Sequence, residues 1–306
     1  MVVDADVTVY LLALLPAVIW GFTPVLDKRG MSADGTALQA ALTVVVVDLS
    51  LFVLALLALR GPALLAGLDP AIAGLFLFAG ATGTALGRLA IFVGVDRVGA
   101  SINSAVVSAR PLFGAAFALG LLGEPVTAST AVGIVVLVVG LVVLSLAKGG
   151  DLAGWEPRDL VYPLGSGALF AFGNVLRRFG LEDGGATVLQ AVALNEAGAL
   201  LVFLAYASVR GTEGFRSADR SSYGYFAVSG CLTAVALLSL FGALALPAGR
   251  VAIVESLAST APLFTTVFAY FLLRDLERVT RGVVLGAVLV VIGAALVTLG
   301  PGAAGV

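Results

Sequence analysis

Ten apolar runs, separated by short stretches of glycine, proline and charge, make up almost the whole chain. They cover about 9–26, 36–59, 71–95, 98–122, 128–147, 160–179, 187–209, 223–246, 250–273 and 279–299. Each is long enough for one helical crossing of a roughly 30 Å hydrocarbon core. Lipid admits only helices or closed barrels, and these runs lack the two-residue alternation of a barrel strand. The pattern therefore predicts an all-α integral membrane protein with ten transmembrane helices. The longest connections, about 148–159 and 210–222, are too short to hold a soluble catalytic domain.

The runs also repeat. Sliding the chain by 151 residues places 108–124 on 259–275, with eight of seventeen positions identical. Ser108 falls on Ser259, Pro111 on Pro262, Leu112 on Leu263 and Phe113 on Phe264. The same shift puts Gln39-Ala40 on Gln190-Ala191. A shift of 150 puts Phe22, Val25, Leu26 and Gly30 on Phe172, Val175, Leu176 and Gly180, and a shift of 153 puts Gly133 and Gly140 on Gly286 and Gly293. The order holds along both halves, so chance explains it poorly. The halves are 1–149 and 150–306, with five spans each. An odd number of spans inverts the second half relative to the first. The expected architecture is therefore two inverted five-helix repeats, as in alternating-access transporters. A duplicated bundle with no transport role is the alternative.

Composition narrows the chemistry. Of 306 residues, 60% are apolar and 12% charged, and the mean hydropathy is +1.11. A soluble protein of this size could not hide so much apolar surface. There is no histidine, which removes Ser-His-Asp chemistry and His-ligated zinc. One cysteine, Cys231, excludes internal disulfides and thiolate clusters, and it reads as a small buried filler. A net charge of −2 argues against nucleic acid as a partner. The two lysines, Lys28 and Lys148, stand at the ends of apolar runs, so no mid-helix lysine is present for a retinal Schiff base. The N-terminal stretch carries Asp4 and Asp6 and no basic segment, which predicts a retained first span rather than a signal peptide.

Several segments resemble a known family. Trp20-Gly21 in the first span is followed by Lys28. In the fourth span, Ser108, Pro111, Leu112 and Phe113 precede Leu122-Gly123-Glu124, and the ninth echoes this with Ser259, Pro262, Leu263, Phe264 and Leu273-Arg274-Asp275. With the glycine-spaced fifth and tenth spans, this pattern resembles the EamA-type family of the drug/metabolite transporter superfamily across nearly the whole chain. The resemblance implies a 5+5 inverted fold, a central cavity and movement of small metabolites, often export of amino acids or related compounds. The chain departs from the pattern with Leu-Arg-Asp at 273–275 and with Phe170-Ala171 where a second Trp-Gly-like pair would stand. The resemblance also implies termini in the cytoplasm of a multi-pass cell-membrane protein. Charge points the other way. That orientation puts Arg60, Arg177, Arg178 and Arg250 inside. Outside it puts Lys28, Arg29, Arg97, Lys148, Arg158, Arg210, Arg216, Arg220, Arg274, Arg278 and Arg281, against the positive-inside tendency. Cations that belong to the cavity or its mouth would not count.

Five ionisable residues fall within spans: Asp48, Arg88, Arg110, Glu196 and Glu255. Each costs roughly 2.5–3.5 kcal/mol at a helix centre, on the order of 12–18 kcal/mol together, unless paired or wetted. Arg110 precedes Pro111, and Glu255 lies two turns before Pro262. Interrupted helices at matching places in inverted halves point to a transport site. Helical spacing puts Ser104, Ser108 and Pro111 on one face of span four, with Asn103 and Arg110 on the adjacent face, and Glu255, Ser259 and Pro262 on one face of span nine. These residues are the expected substrate-binding set, joined by Trp20 and Asn174 at nearly equivalent places in spans one and six. The alternative is that the serines bond back to their own helices and the charges pair structurally. Asp48 could simply neutralise Arg88. Glu196, beside Asn195, shows no partner in adjacent spans and could serve as a protonatable coupling group. Gly83-x-x-x-Gly87 and Gly282-x-x-x-Gly286 read as helix-packing stripes.

The expected function is secondary transport of small metabolites, amino acids or related zwitterionic or anionic compounds, by alternating access. Arg110 would meet a substrate carboxylate, and Glu255 an amino group or a proton. Alternatives are a phosphate-ester or nucleotide-sugar exchanger, which would want several cations converging on the cavity, an intramembrane enzyme, or a non-transporting scaffold. No cofactor, metal or catalytic residue is expected. The partners are a small-molecule substrate and the lipid bilayer, with a homodimer as the oligomer to consider.

Overall fold

The computed structural model describes residues 5–113, 116, 128–147, 149–182, 186–211, 218–246, 254 and 257–298. The first repeat begins with α1 (Ala5–Ser32) and α2 (Ala37–Arg60). Its third span, Pro70–Val98, joins α3 (Pro70–Ala79), a π-helical stretch (Gly80–Leu86) and α4 (Gly87–Val98). Then come α5 (Ala100–Val107) and α6 (Ala128–Leu146). The second repeat holds α7 (Val161–Glu182), α8 (Val188–Arg210), α9 (Arg220–Ala245), α10 (Ala261–Leu272) and α11 (Arg281–Thr298). The architecture is an all-α integral membrane fold of two inverted five-helix repeats. Large side chains such as Leu11, Leu54, Val135 and Val209 stand exposed along the helices, a surface that suits lipid and not water.

The two repeats pack on each other as a pseudo-symmetric pair. α1 lies on α9 as α7 lies on α3 and α4, and α2 on α9 as α8 on α3. Three equivalent pairs meet across the axis: α2 with α8, α5 with α10, α6 with α11. The contacts are reciprocal at the level of residues. Gly140 packs its bare Cα against Val290 and its equivalent Gly293 against Leu137, where a methyl group would come within 2.5–2.8 Å of the partner backbone. Gly30 faces the Phe226 ring, and its equivalent Gly180 the Phe76 ring. Reciprocal pairing of this kind is the signature of a two-fold interface. The core therefore runs between the repeats, with Val44, Phe92, Ala199 and Phe226 in one cluster.

Local chemistry sets the ends of the elements. Equivalent capping boxes start α2 and α8: Thr36 N donates to Gln39 Oε1 at 2.8 Å and Thr187 N to Gln190 Oε1 at 3.0 Å. Such caps contribute about 1 kcal/mol each. The expected proline breaks are present in both halves and match bond for bond. Ala109 N donates to Val106 O and Leu112 N to Ala109 O. Thr260 N likewise donates to Leu257 O and Leu263 N to Thr260 O. Both helices tighten at the same repeat position because Pro111 and Pro262 cannot donate to the regular ladder.

Five features differ from expectation. The first span continues through Asp27, Lys28 and Arg29 to Ser32, instead of ending near 26. Span six likewise runs past 179 to Glu182. The third span contains the π-helical stretch, which adds one residue to its turn. The repeat shift is 150 before it (Phe76/Phe226, Gly80/Gly230) and 149 after it (Thr84/Thr233, Phe92/Phe241). A two-stranded antiparallel ribbon pairs β1 (Gly150–Asp151) with β2 (Glu277–Arg278), joining the loops after spans five and nine. Cys231 is exposed, not buried. Its neighbours Ser229 and Gly230 face the interior of the bundle, which turns position 231 outward. Gly83 packs on Gly173 and Gly87 on Phe170, while Gly282 meets Ala147 and Gly286 meets Leu144, so both stripes are helix contacts.

Candidate functional site

A cavity of about 120 Å³ lies between the repeats, several times the space one water needs. α1 offers it one stripe, Trp20, Thr23, Pro24 and Asp27, at helical spacing. α5 and the break after it supply Asn103, Ser104, Ser108 and Arg110. α4 contributes Arg88 and Phe92, and the π-helical stretch Thr84. α7 contributes Phe170, Asn174 and Arg177, and α9 Ser229 and Thr233. The extra residue in the π-helical turn rotates the downstream helix, a common device at functional sites, and here both Thr84 and Arg88 reach the cavity.

Seven of the expected site residues thus meet around one space: Trp20, Arg88, Asn103, Ser104, Ser108, Arg110 and Asn174. Three others do not line it. Ser259 is fully buried, although its neighbours Ala258 and Ala261 reach the cavity. Asp48 and Glu196 stand behind Arg88 with no exposure. Glu255 lies outside the described residues. Ser104 accepts a hydrogen bond from Thr265 Oγ1 at 2.9 Å, tying span four to span nine beside the breaks.

The charges form a connected network. Arg88 Nη1 donates to Asp48 Oδ2 at 3.0 Å and to Glu196 Oε2 at 2.9 Å. Asp48 therefore does pair with Arg88. Glu196 has the same partner, which lies outside the spans adjacent to it in sequence, because spans three and seven pack together. Asn195 Nδ2 bridges Glu196 Oε1 (3.1 Å) and Thr84 Oγ1 (2.7 Å). Arg177 completes the chain. Its Nε donates to Asn195 Oδ1 at 3.0 Å, Nη1 to Asn174 Oδ1 at 2.6 Å and Nη2 to Thr84 Oγ1 at 2.7 Å. Its guanidinium also lies 5.6 Å from the Phe241 ring centroid. A buried guanidinium held by this many oriented acceptors is locked in place.

Sequence reasoning missed Asp27 and Arg177 as cavity residues. Both sit at the end of an apolar run and read there as boundary charges. Yet the shift of 150 that matches Phe22 with Phe172 also matches Asp27 with Arg177 and Lys28 with Arg178, and that equivalence was the available signal. Asp27 is 3% exposed. The Ser229 side chain hydrogen-bonds it, and its Oδ1 has no partner. Lys28 and Arg178 play matching parts, each donating to a carbonyl at the end of the neighbouring span: Lys28 Nζ to Asp96 O at 2.9 Å, Arg178 Nη1 to Leu244 O at 2.8 Å. Arg177 and Lys28, both buried, thus drop out of the orientation argument. The remaining cations keep their bias toward the same end.

At the face where α1 ends, a polar clasp binds loops from both repeats. Lys28 pairs with Asp151 of β1. Glu277 of β2 accepts hydrogen bonds from Ala100 N, Ser101 N (3.2 Å) and Ser101 Oγ (2.9 Å), capping α5. Burial pushes the Glu277 carboxyl above its ordinary value near 4.5, and the hydrogen bonds and Lys28 pull it back only in part. Further out, Arg29 Nη2 donates to Asp275 Oδ1 at 2.6 Å and holds that carboxyl below its ordinary value.

The profile of the EamA-like transporter family matches residues 7–146 and again 160–299. The chain belongs to that family. One solved structure, described only as "Crystal structure of protein", is similar over 96% of this chain and 97% of its own, with a TM-score of 0.65 and 18% identity, which speaks for the fold alone. No curated protein matches the sequence. Membership makes this a multi-pass membrane protein of a family of transporters rather than enzymes, of the drug/metabolite kind.

Proposed function

We propose that this protein is a secondary transporter of small zwitterionic metabolites, with amino acids the first class to test, working by alternating access across the cell membrane. The observation that carries this reading is the cavity between the repeats, beside the matching helix breaks, where guanidinium and carboxylate side chains reach the same space. Arg110 is the residue we assign to a substrate carboxylate, since a guanidinium matches a carboxylate in two hydrogen bonds. Trp20, Phe92 and Phe170 offer apolar surface to the rest of the ligand.

A third cavity arginine, Arg177, gives some support to a phosphate-ester substrate. Asp27 in the same cavity opposes it, because a dianion would meet a carboxylate in a space of low dielectric. The clasp of Lys28, Asp151 and Glu277 supports a state shut at that face, to be released when one half rocks against the other. We follow the family in placing both termini in the cytoplasm.

The test is flux. Purified protein in liposomes, loaded with mixed amino acids and organic acids, should release a subset, and Arg110→Gln and Glu255→Gln should reduce that release. Repeating it across a pH gradient reads out proton coupling. Release no faster than from empty liposomes for every member of the pool would overturn the zwitterion reading.

A further inference from the structure

Asp27 poses a question of charge, where the cavity's other residue with an unpartnered buried oxygen, Asn103, is neutral. It is a buried carboxylate on the cavity-facing stripe of α1, and Oδ1 has no donor. An unsatisfied buried carboxylate in a membrane is costly, and such a group in a native site calls for a specific explanation. Nearby cations are engaged elsewhere. Arg88 acts on Asp27 electrostatically, but its hydrogen bonds go to Asp48 and Glu196; Lys28 is paired with Asp151, and Arg177 is held by Asn174, Asn195 and Thr84. What reaches Asp27 from α9 is the neutral Ser229. Asp48 Oδ1 also lacks a donor, but Asp48 does not line the cavity and already has the Arg88 charge. Asp27 therefore stands apart as a carboxylate that opens on the cavity without a full partner among the described residues.

We propose that Asp27 is the ammonium subsite of this transporter: a protonated amine of the substrate supplies the missing charge and donates to Oδ1. This rests on the zwitterion reading above and moves the amino-group contact from Glu255 to Asp27. A primary ammonium has three donors and a compact charge. It suits a carboxylate oxygen flanked by the Ser229 hydroxyl. The subsite makes the amine obligatory and the carboxylate secondary, so decarboxylated amines should be ligands and des-amino acids should not.

The experiment measures binding of three probes of one shape to the full chain in detergent, by ligand-induced rise in unfolding temperature. The probes are L-phenylalanine, phenethylamine and 3-phenylpropanoate. Wild type should bind the first two and bind 3-phenylpropanoate at least ten-fold more weakly. Asp27→Asn, nearly the same shape, should lose at least ten-fold affinity for both amines. Asp27→Glu, which keeps the charge, should retain the order of the three. A second readout needs no variant: L-phenylalanine and phenethylamine should protect Asp27 from modification by dicyclohexylcarbodiimide, seen by peptide mass spectrometry, and 3-phenylpropanoate should not. Unchanged amine affinity in Asp27→Asn, with no protection of the wild-type residue, overturns the subsite even if amino-acid flux is confirmed. A variant whose amine affinity is intact and whose flux merely ceases to respond to pH makes Asp27 a proton site and overturns it too. Absence of both flux and binding for all three probes overturns the zwitterion reading itself.

Discussion

Asp27 and Arg177 occupy the same position in the two repeats, and the structure treats them in opposite ways. Around Arg177 each nitrogen has an oriented acceptor, and the network continues through Asn195 and Glu196 to Arg88 and Asp48. Around Asp27 there is a serine, and an oxygen left over. A duplicated fold delivers equivalent positions to equivalent depths. What differs is whether the neighbouring elements bring partners. α8 carries Asn195 and Glu196 toward Arg177, while the equivalent positions in α2 are Val44 and Val45. On the proposed subsite, the contrast separates charge that holds the bundle together from charge that meets a ligand. Burial alone would not have separated them, since both residues are almost wholly enclosed.

The contrast can be broken hardest at Arg88. Arg88→Leu strands Asp48 and Glu196 together without a cation and should cost about 3–5 kcal/mol. The check is the unfolding temperature in detergent, and adding Asp48→Asn and Glu196→Gln should recover much of the loss. Arg177→Leu comes next. It removes the arginine donors of Asn174 Oδ1 and Asn195 Oδ1, at about 1–3 kcal/mol for a stranded group, and should lower the same unfolding temperature less than Arg88→Leu does.

A smaller effect is expected from pH at the clasp. The folded Glu277 pKa lies above its ordinary value near 4.5. Its contribution to stability is therefore complete below that ordinary value and lost as pH rises through the raised one. Unfolding temperature measured against pH should fall across that window, and Glu277→Gln should flatten the fall. Arg29→Ala removes an ion pair whose members are 31% and 60% exposed, so no measurable change in unfolding temperature is expected. Asp27→Asn sharpens the comparison from the other end. It removes a buried carboxylate whose Oδ1 has no donor, so the unfolding temperature should hold or rise slightly while amine binding is lost.

Much of the architecture was open to inspection in the chain. Pro111 and Pro262 marked breaks that appear with matching hydrogen bonds, and the repeat register paired Gly140 with Gly293, which the structure shows in reciprocal contacts. The residues of span four gathered as the helical spacing implied. The site was half legible. Trp20, Asn103, Ser104, Ser108, Arg110, Asn174 and Arg88 share the cavity, but Asp27 and Arg177 read as boundary charges in the sequence, because hydropathy drops at a charged residue whether or not the helix continues. Lys28, Asp151 and Glu277 were invisible as a group, because more than a hundred residues separate Lys28 from each of the others and no short motif joins them.

By itself the sequence determined the number of spans, their duplication, the inversion that follows from five spans per half, and the places where prolines interrupt helices. Those properties depend on local composition and on the arithmetic of the repeat. Only the tertiary structure decided which charges have partners. Asp48, Arg88 and Glu196 lie on three helices, and whether a buried charge is neutralised depends on side-chain distances of about 3 Å between elements far apart in the chain. No pattern along one strand of residues carries that distance. The difference between Arg177, fully held, and Asp27, left open to the cavity, exists only once the helices have packed.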